Sequence, residues 1–220
     1  MKSEQLPNMT INDMLLSEGI AGRNGYCESS EPGKKYEQWI YYGFKSQFQK
    51  GNFDEVKRNQ YLEFPIYGSN DDLTVTREID VLFRRKGILG FVSIKTGRGF
   101  VKNGSYREEK RIILDTYPEY LAGKPCLRVL IYKYGISRTR FKRMIKNSVL
   151  IVDNIAVKTD FPEMFEMVFD AVDYLAETGD QLPADYYNRC VNKLCNMGNP
   201  AFPIHNTYIN KLLQNRKIVR

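Results

Sequence analysis

The chain has 220 residues, 42% hydrophobic and 27% charged, which is enough for one domain with a buried core and ordinary for a globular protein. A formal net charge of +7, with an isoelectric point near 9.1, favours a polyanionic partner without distinguishing DNA, RNA or an anionic membrane. No apolar run approaches the roughly 20 residues that span a bilayer, and no apolar signal core follows Met1-Lys2-Ser3-Glu4-Gln5, which predicts an intracellular protein, in the cytoplasm or, for a viral source, the host cytoplasm.

Residues 1–32 are polar and punctuated by Gly, Ser and Pro, with a short helix predicted over 10–17, and read as an arm or irregular cap. A single α/β domain is expected over 33–220, with a core over 33–152 and a helical C-terminal part over 161–220. Between Lys34 and Gln49, Tyr36, Ile40, Phe44 and Phe48 recur every four positions, predicting a helix with one aromatic stripe that Gly51-Asn52 ends. A strand over 61–67, assigned to a sheet edge by Pro65, precedes strands over 73–84 and 88–95 joined as a hairpin. The loop Thr96-Gly97-Arg98-Gly99 leads to a helix predicted from Ser105 towards Leu121, bent or broken at Pro118. Residues 127–132 predict a central strand, 137–146 a basic helix and 149–152 a further strand. Beyond Pro162, Met164, Phe165, Val168, Phe169, Val172 and Leu175 mark an amphipathic packing helix, and one or two more helices are expected after Pro183. The sum is an α/β fold with a mixed central sheet flanked by helices and extra C-terminal helices. Cys27, Cys126, Cys190 and Cys195 form no Cys-x-x-Cys pair and His205 is the single histidine, so buried thiols are expected, with a disulfide open only to a hyperthermophilic source.

Period-two alternation on the hairpin strands carries Asp80 out of one and Lys95 out of its neighbour. That pair suits phosphodiester hydrolysis: a carboxylate holds a divalent metal, and an ammonium steadies or deprotonates the attacking water. Glu78 shares a strand face with Asp80 and is either a reserve ligand or an ordinary exposed strand residue; Glu63 is a further reserve. Ser105-Tyr106-Arg107-Glu108 has the form of a capping box, which occupies Glu108 and leaves Glu109, about 100° further round the helix, to face the sheet above Ser93. The alternative is that both are solvated acids favoured by the helix dipole. Arg84, Arg85 and Lys86 in the hairpin turn, then Arg98 and Lys102, then Arg138, Arg140, Lys142, Arg143 and Lys146 are candidate phosphate contacts. Phe141 and Ile145 mark the packed face of the 137–146 helix and leave the other face positive.

With Glu37 on the preceding helix, Asp80 on one strand and Ser93-Ile94-Lys95 on the next, residues 33–133 resemble the PD-(D/E)xK nuclease superfamily of restriction enzymes and Holliday-junction resolvases. Gly33-Lys34-Lys35-Tyr36-Glu37 is similar to the resolvase-type first helix, with a glycine four residues before the glutamate. The chain departs from the pattern at Ser93, where the family carries an acid, and at Ile79, where it carries proline. A subgroup of restriction enzymes with Ser-x-Lys takes its second carboxylate from the following helix, fourteen residues after the lysine; from Lys95 that position is Glu109.

The resemblance implies a restriction-endonuclease-like fold and a metal-dependent endodeoxyribonuclease using Mg²⁺ or Mn²⁺. In it Asp80 is the central metal ligand, Glu109 the second carboxylate and the Ile94 carbonyl a third oxygen. Lys95 orients or deprotonates the water, and Glu37 serves as an outer ligand, through water, or by holding Lys95. Each of these side chains has the alternative of a surface ion pair. A homodimer is the natural assembly for cutting both strands of duplex or branched DNA. Glu37 leans towards a resolvase and Ser93 with Glu109 towards restriction enzymes. Two other readings stand beside this one: a non-catalytic nucleic-acid-binding protein that keeps the fold, for which Ser93 speaks, and an unrelated basic α/β interaction module.

Overall fold

A computed structural model describes residues 31–65, 74–96 and 124–190. The first helix, α1, runs Glu31–Gln49, so it begins just inside the stretch expected to be an arm. Tyr36, Ile40 and Phe44 are buried as expected, whereas Phe48 is 43% exposed. A four-residue spacing advances about 40° per step on a helix, so Phe48 lies about 120° round from Tyr36 and leaves the packed face. Gly43, seven residues after Tyr36, takes up that face: a Cβ there would stand 2.7 Å from the Phe161 ring.

Five strands form one mixed sheet in the order β1-β2-β3-β4-β5, comprising Glu55–Pro65, Thr74–Arg85, Ile88–Lys95, Cys126–Tyr132 and Val149–Asp153. β1 to β3 are antiparallel, and β3 to β5 parallel. The β2–β3 hairpin closes on Lys86-Gly87, whose φ values of 50° and 78° match the right-handed twist of the strands they join. β1 is an edge strand, as Pro65 required, but starts six residues before the expected Tyr61. β4 is buried along its whole length, as a central strand flanked on both sides must be.

Helix α2, Arg138–Ile145, links β4 to β5, and the Ser137 hydroxyl accepts the Arg140 N–H at its start. A 3₁₀ turn, Lys158–Asp160, leads into α3, Phe161–Thr178, which stops at Gly179 in the left-handed conformation. Phe44, Phe53, Phe83 and Phe165 meet in an aromatic group that joins α1, the sheet and α3. The result is the α/β architecture expected, a mixed sheet flanked by helices. No helix among the described residues is long and apolar enough to cross a membrane. Cys126 and Cys190 are thiols; the expected arm, the helix from Ser105 and the tail beyond residue 190 lie outside the described residues.

Candidate active site at the fork of the sheet

β2 and β3 pair only from Arg85↔Ile88 up to Val81↔Val92. Beyond that point β2 continues against β1 as far as Thr74↔Pro65, while β3 continues against β4 as far as Lys95↔Tyr132. The sheet therefore forks, with Asp80 on one arm and Ser93-Ile94-Lys95 on the other. Past the fork the backbone of β3 has lost its β2 partner, and the Ile94 N–H donates instead to Asp80 Oδ2 at 2.6 Å. That bond fixes the Asp80 carboxylate against β3.

The strands are bent where Asp80 sits. Ile79 and Leu82 pack in a small cluster with Phe91 and Cys126, while Val81 and Phe83 belong to the main core, so strict alternation fails across Asp80. Asn59, opposite Asp80 in the β1 register, has φ of 50°, and the pairing is the same on either side of it. β1 thus bends without an inserted residue, using one of the few residue types that enter the left-handed region readily.

Helix α1 brings in Glu37. One turn earlier Gly33 lies beside the end of β3, where an added Cβ would come within 3.5 Å of Thr96 Oγ1. The Tyr36 hydroxyl donates to the Ile155 carbonyl at 2.6 Å, and burial, with Asp160 adding to it, pushes that phenol far up and keeps it a donor. α1 is thereby held across the C-terminal ends of the parallel strands. The Glu37 carboxyl is raised above its ordinary range, first by burial and then by Asp80 and Glu78, while Lys95 and Arg58 act in the opposite sense. Glu37, Asp80 and Lys95, from three elements, thus share one electrostatic neighbourhood with Glu78 and Arg58. Among the described residues no group of three or more His, Cys, Asp or Glu is placed to hold a metal ion.

The basic residues are distributed otherwise than expected. Arg84, Arg85 and Lys86 stand at the opposite end of the hairpin, four to six residues from Asp80 and about 23 Å of strand from Lys95. Arg85 lies 4.4 Å over the Phe169 ring and, with Lys86, engages Asp173, while Arg84 reaches towards Glu55. These contacts tie the hairpin turn to α3 and β1, at the end of the strands away from Lys95. Arg140 is 7% exposed, because it falls within the arc of α2 that buries Phe141 and Met144; Thr139, Lys142, Arg143 and Lys146 line a shallow recess on the other arc. Glu109, Arg98 and Lys102, and the side chain of Arg138, lie outside the described residues. Arg58 and Glu37's neighbour Tyr41 were not expected at the site; the polar run from Glu55 to Gln60 carries no apolar alternation that would mark it as strand.

No family model matches the chain, and no curated protein is similar to it in sequence. Among solved structures it is similar to protein VC1899 from Vibrio cholerae, at 16% identity with a TM-score of 0.48, covering 77% of this chain and 43% of that one. It is also similar to Can2 from Sulfobacillus thermosulfidooxidans in complex with cyclic tetra-adenylate, at 18% identity and a TM-score of 0.48, covering 75% and 45%. AF1548, a protein of unknown function, gives 13% identity and a TM-score of 0.40 over 81% and 96%. The chain spans less than half the length of the first two.

Proposed function

We propose that the protein is a metal-dependent endodeoxyribonuclease that hydrolyses DNA phosphodiesters with Mg²⁺ or Mn²⁺. The observation that carries this reading is the Asp80 carboxylate fixed against Ile94, the residue before Lys95, at the fork of the sheet, where the charges of Asp80 and Lys95 both act on Glu37. The donors fit a hard divalent cation in kind: the Asp80 carboxylate and the Ile94 carbonyl would hold it through oxygen, with Glu109 the second carboxylate that the family pattern implies. When bound, the cation supplies an acidified water and neutralises charge on the phosphate. The residues of the chain do the rest. Asp80 is pre-set by the Ile94 N–H, and Lys95 orients the attacking water and its proton. Glu37, whose carboxyl is raised by burial and by Asp80, serves to hold Lys95 at that position. A homodimer, with two sites related by a two-fold axis, would address both strands of a duplex or junction.

A second reading, a nucleic-acid-binding protein without cleavage, is favoured by Ser93, which continuation of the β2–β3 register sets opposite Asp80, where the family pattern has an acid. Nicking of supercoiled plasmid by single variants separates the two. Asp80→Ala and Lys95→Ala are expected to lose at least about 10²-fold in rate, and Glu109→Ala a similar factor, with folding confirmed by melting. Full activity in Glu109→Ala beside an inactive Asp80→Ala would remove Glu109 from the ligand set and make Glu78 the next candidate.

A further inference from the structure

We infer that Arg58 is a substrate-binding residue that takes a backbone phosphate of the nucleic acid at the mouth of the fork. The inference rests on the nuclease reading and adds to it the residue that seats the polyanion beside the reacting centre. Arg58 lies on edge strand β1, in register with Val81, and the bent residue Asn59 follows it opposite Asp80. The Gln60 side-chain amide donates to the Arg58 carbonyl at 2.9 Å, a bond that spans the bend at Asn59. The guanidinium stands 5.7 Å over the ring of Tyr41. Tyr41 is four residues after Glu37 on α1, so the two occupy the same helix face one turn apart. Arg58 therefore sits over the face that looks towards the fork, and its charge is felt by the Glu37 carboxyl.

Glu37, Asp80 and Glu78 together present negative charge where a phosphodiester must approach. Lys95 is already committed to the reacting centre in this reading, so an anionic substrate needs a further cation at the rim. A guanidinium meets that need because it stays charged, carries five N–H donors that match phosphate oxygens, and is held on an aromatic ring at little entropic cost. The contact is to phosphate rather than to a base edge, so it contributes affinity without sequence preference.

The test is fluorescence-anisotropy binding of labelled duplexes of two unrelated sequences to full-length protein carrying Asp80→Ala, which prevents cutting, over a series of potassium chloride concentrations. Adding Arg58→Gln is expected to weaken binding about three- to tenfold for both duplexes and to reduce the salt slope by about one. Arg58→Lys, which keeps the charge and guards against a folding artefact, is expected to restore the slope and part of the affinity. Unchanged affinity and slope in Arg58→Gln, while the Asp80→Ala parent binds both duplexes, would overturn the assignment of Arg58 alone. A parent with no salt-dependent binding to either duplex, nor to a labelled four-way junction, would overturn the nuclease reading and this inference with it.

Discussion

At Glu37 a single half-buried carboxyl makes stability depend on pH. Burial and the nearby Asp80 raise its pKa, so the folded chain binds that proton more readily than the unfolded chain does. The group favours folding below the unfolded carboxylate value, roughly 4.3, and that contribution is lost as pH rises through the raised folded value. Glu37→Gln keeps the shape and removes the charge. It is expected to raise the melting temperature at neutral pH, leave it unchanged below about pH 4, and slow cleavage at any pH where wild type cuts. Circular-dichroism melts at the two pH values check the first part; a neutral-pH melting temperature at or below wild type would mean that Lys95 and Arg58 outweigh the burial.

Among the elements, the β2–β3 hairpin carries the site and is tuned by one close approach. Gly90 pairs with Phe83 across the hairpin, and a Cβ at Gly90 would meet that fully buried ring at 2.1 Å. Gly90→Ala is expected to cost about 1–3 kcal/mol in urea denaturation through overpacking, and less in a Phe83→Leu background, where the shorter side chain leaves room. Equal costs in both backgrounds would show that the ring is not the obstacle. The hairpin, β4, α2, β5 and α3 were legible in the sequence because each buries a regular apolar pattern. The first half of β1 was not, because from Glu55 to Gln60 an edge strand needs no apolar face. The four-residue stripe on α1 predicted the buried residues correctly as far as Phe44 and failed at Phe48, where the angular drift of that spacing turns the side chain away.

For the whole molecule, the question is how residues distant in sequence converge. That Asp80 and Lys95 belong to adjacent strands could be read from a short turn between two apolar runs, and the glycine one turn before Glu37 pointed to the helix that approaches them. The fork could not be read, because it depends on which partner each strand keeps beyond Val81. Nor could the positions of Arg84, Arg85 and Arg140: sequence proximity to Asp80 put the first two beside the site, whereas strand length carries them to the far end, and helix phase turns Arg140 inward. With those arginines placed elsewhere, the basic charge of the described surface includes Arg58 near the fork and Lys142, Arg143 and Lys146 on α2. The most direct measurement is cleavage of labelled duplex, single-stranded and four-way-junction DNA in Mg²⁺, Mn²⁺ and EDTA, with Asp80→Ala protein prepared in parallel. Cutting that requires a divalent cation and disappears in the variant is the result this account predicts; DNA that is bound tightly but left intact under every condition would contradict it and favour the non-catalytic reading.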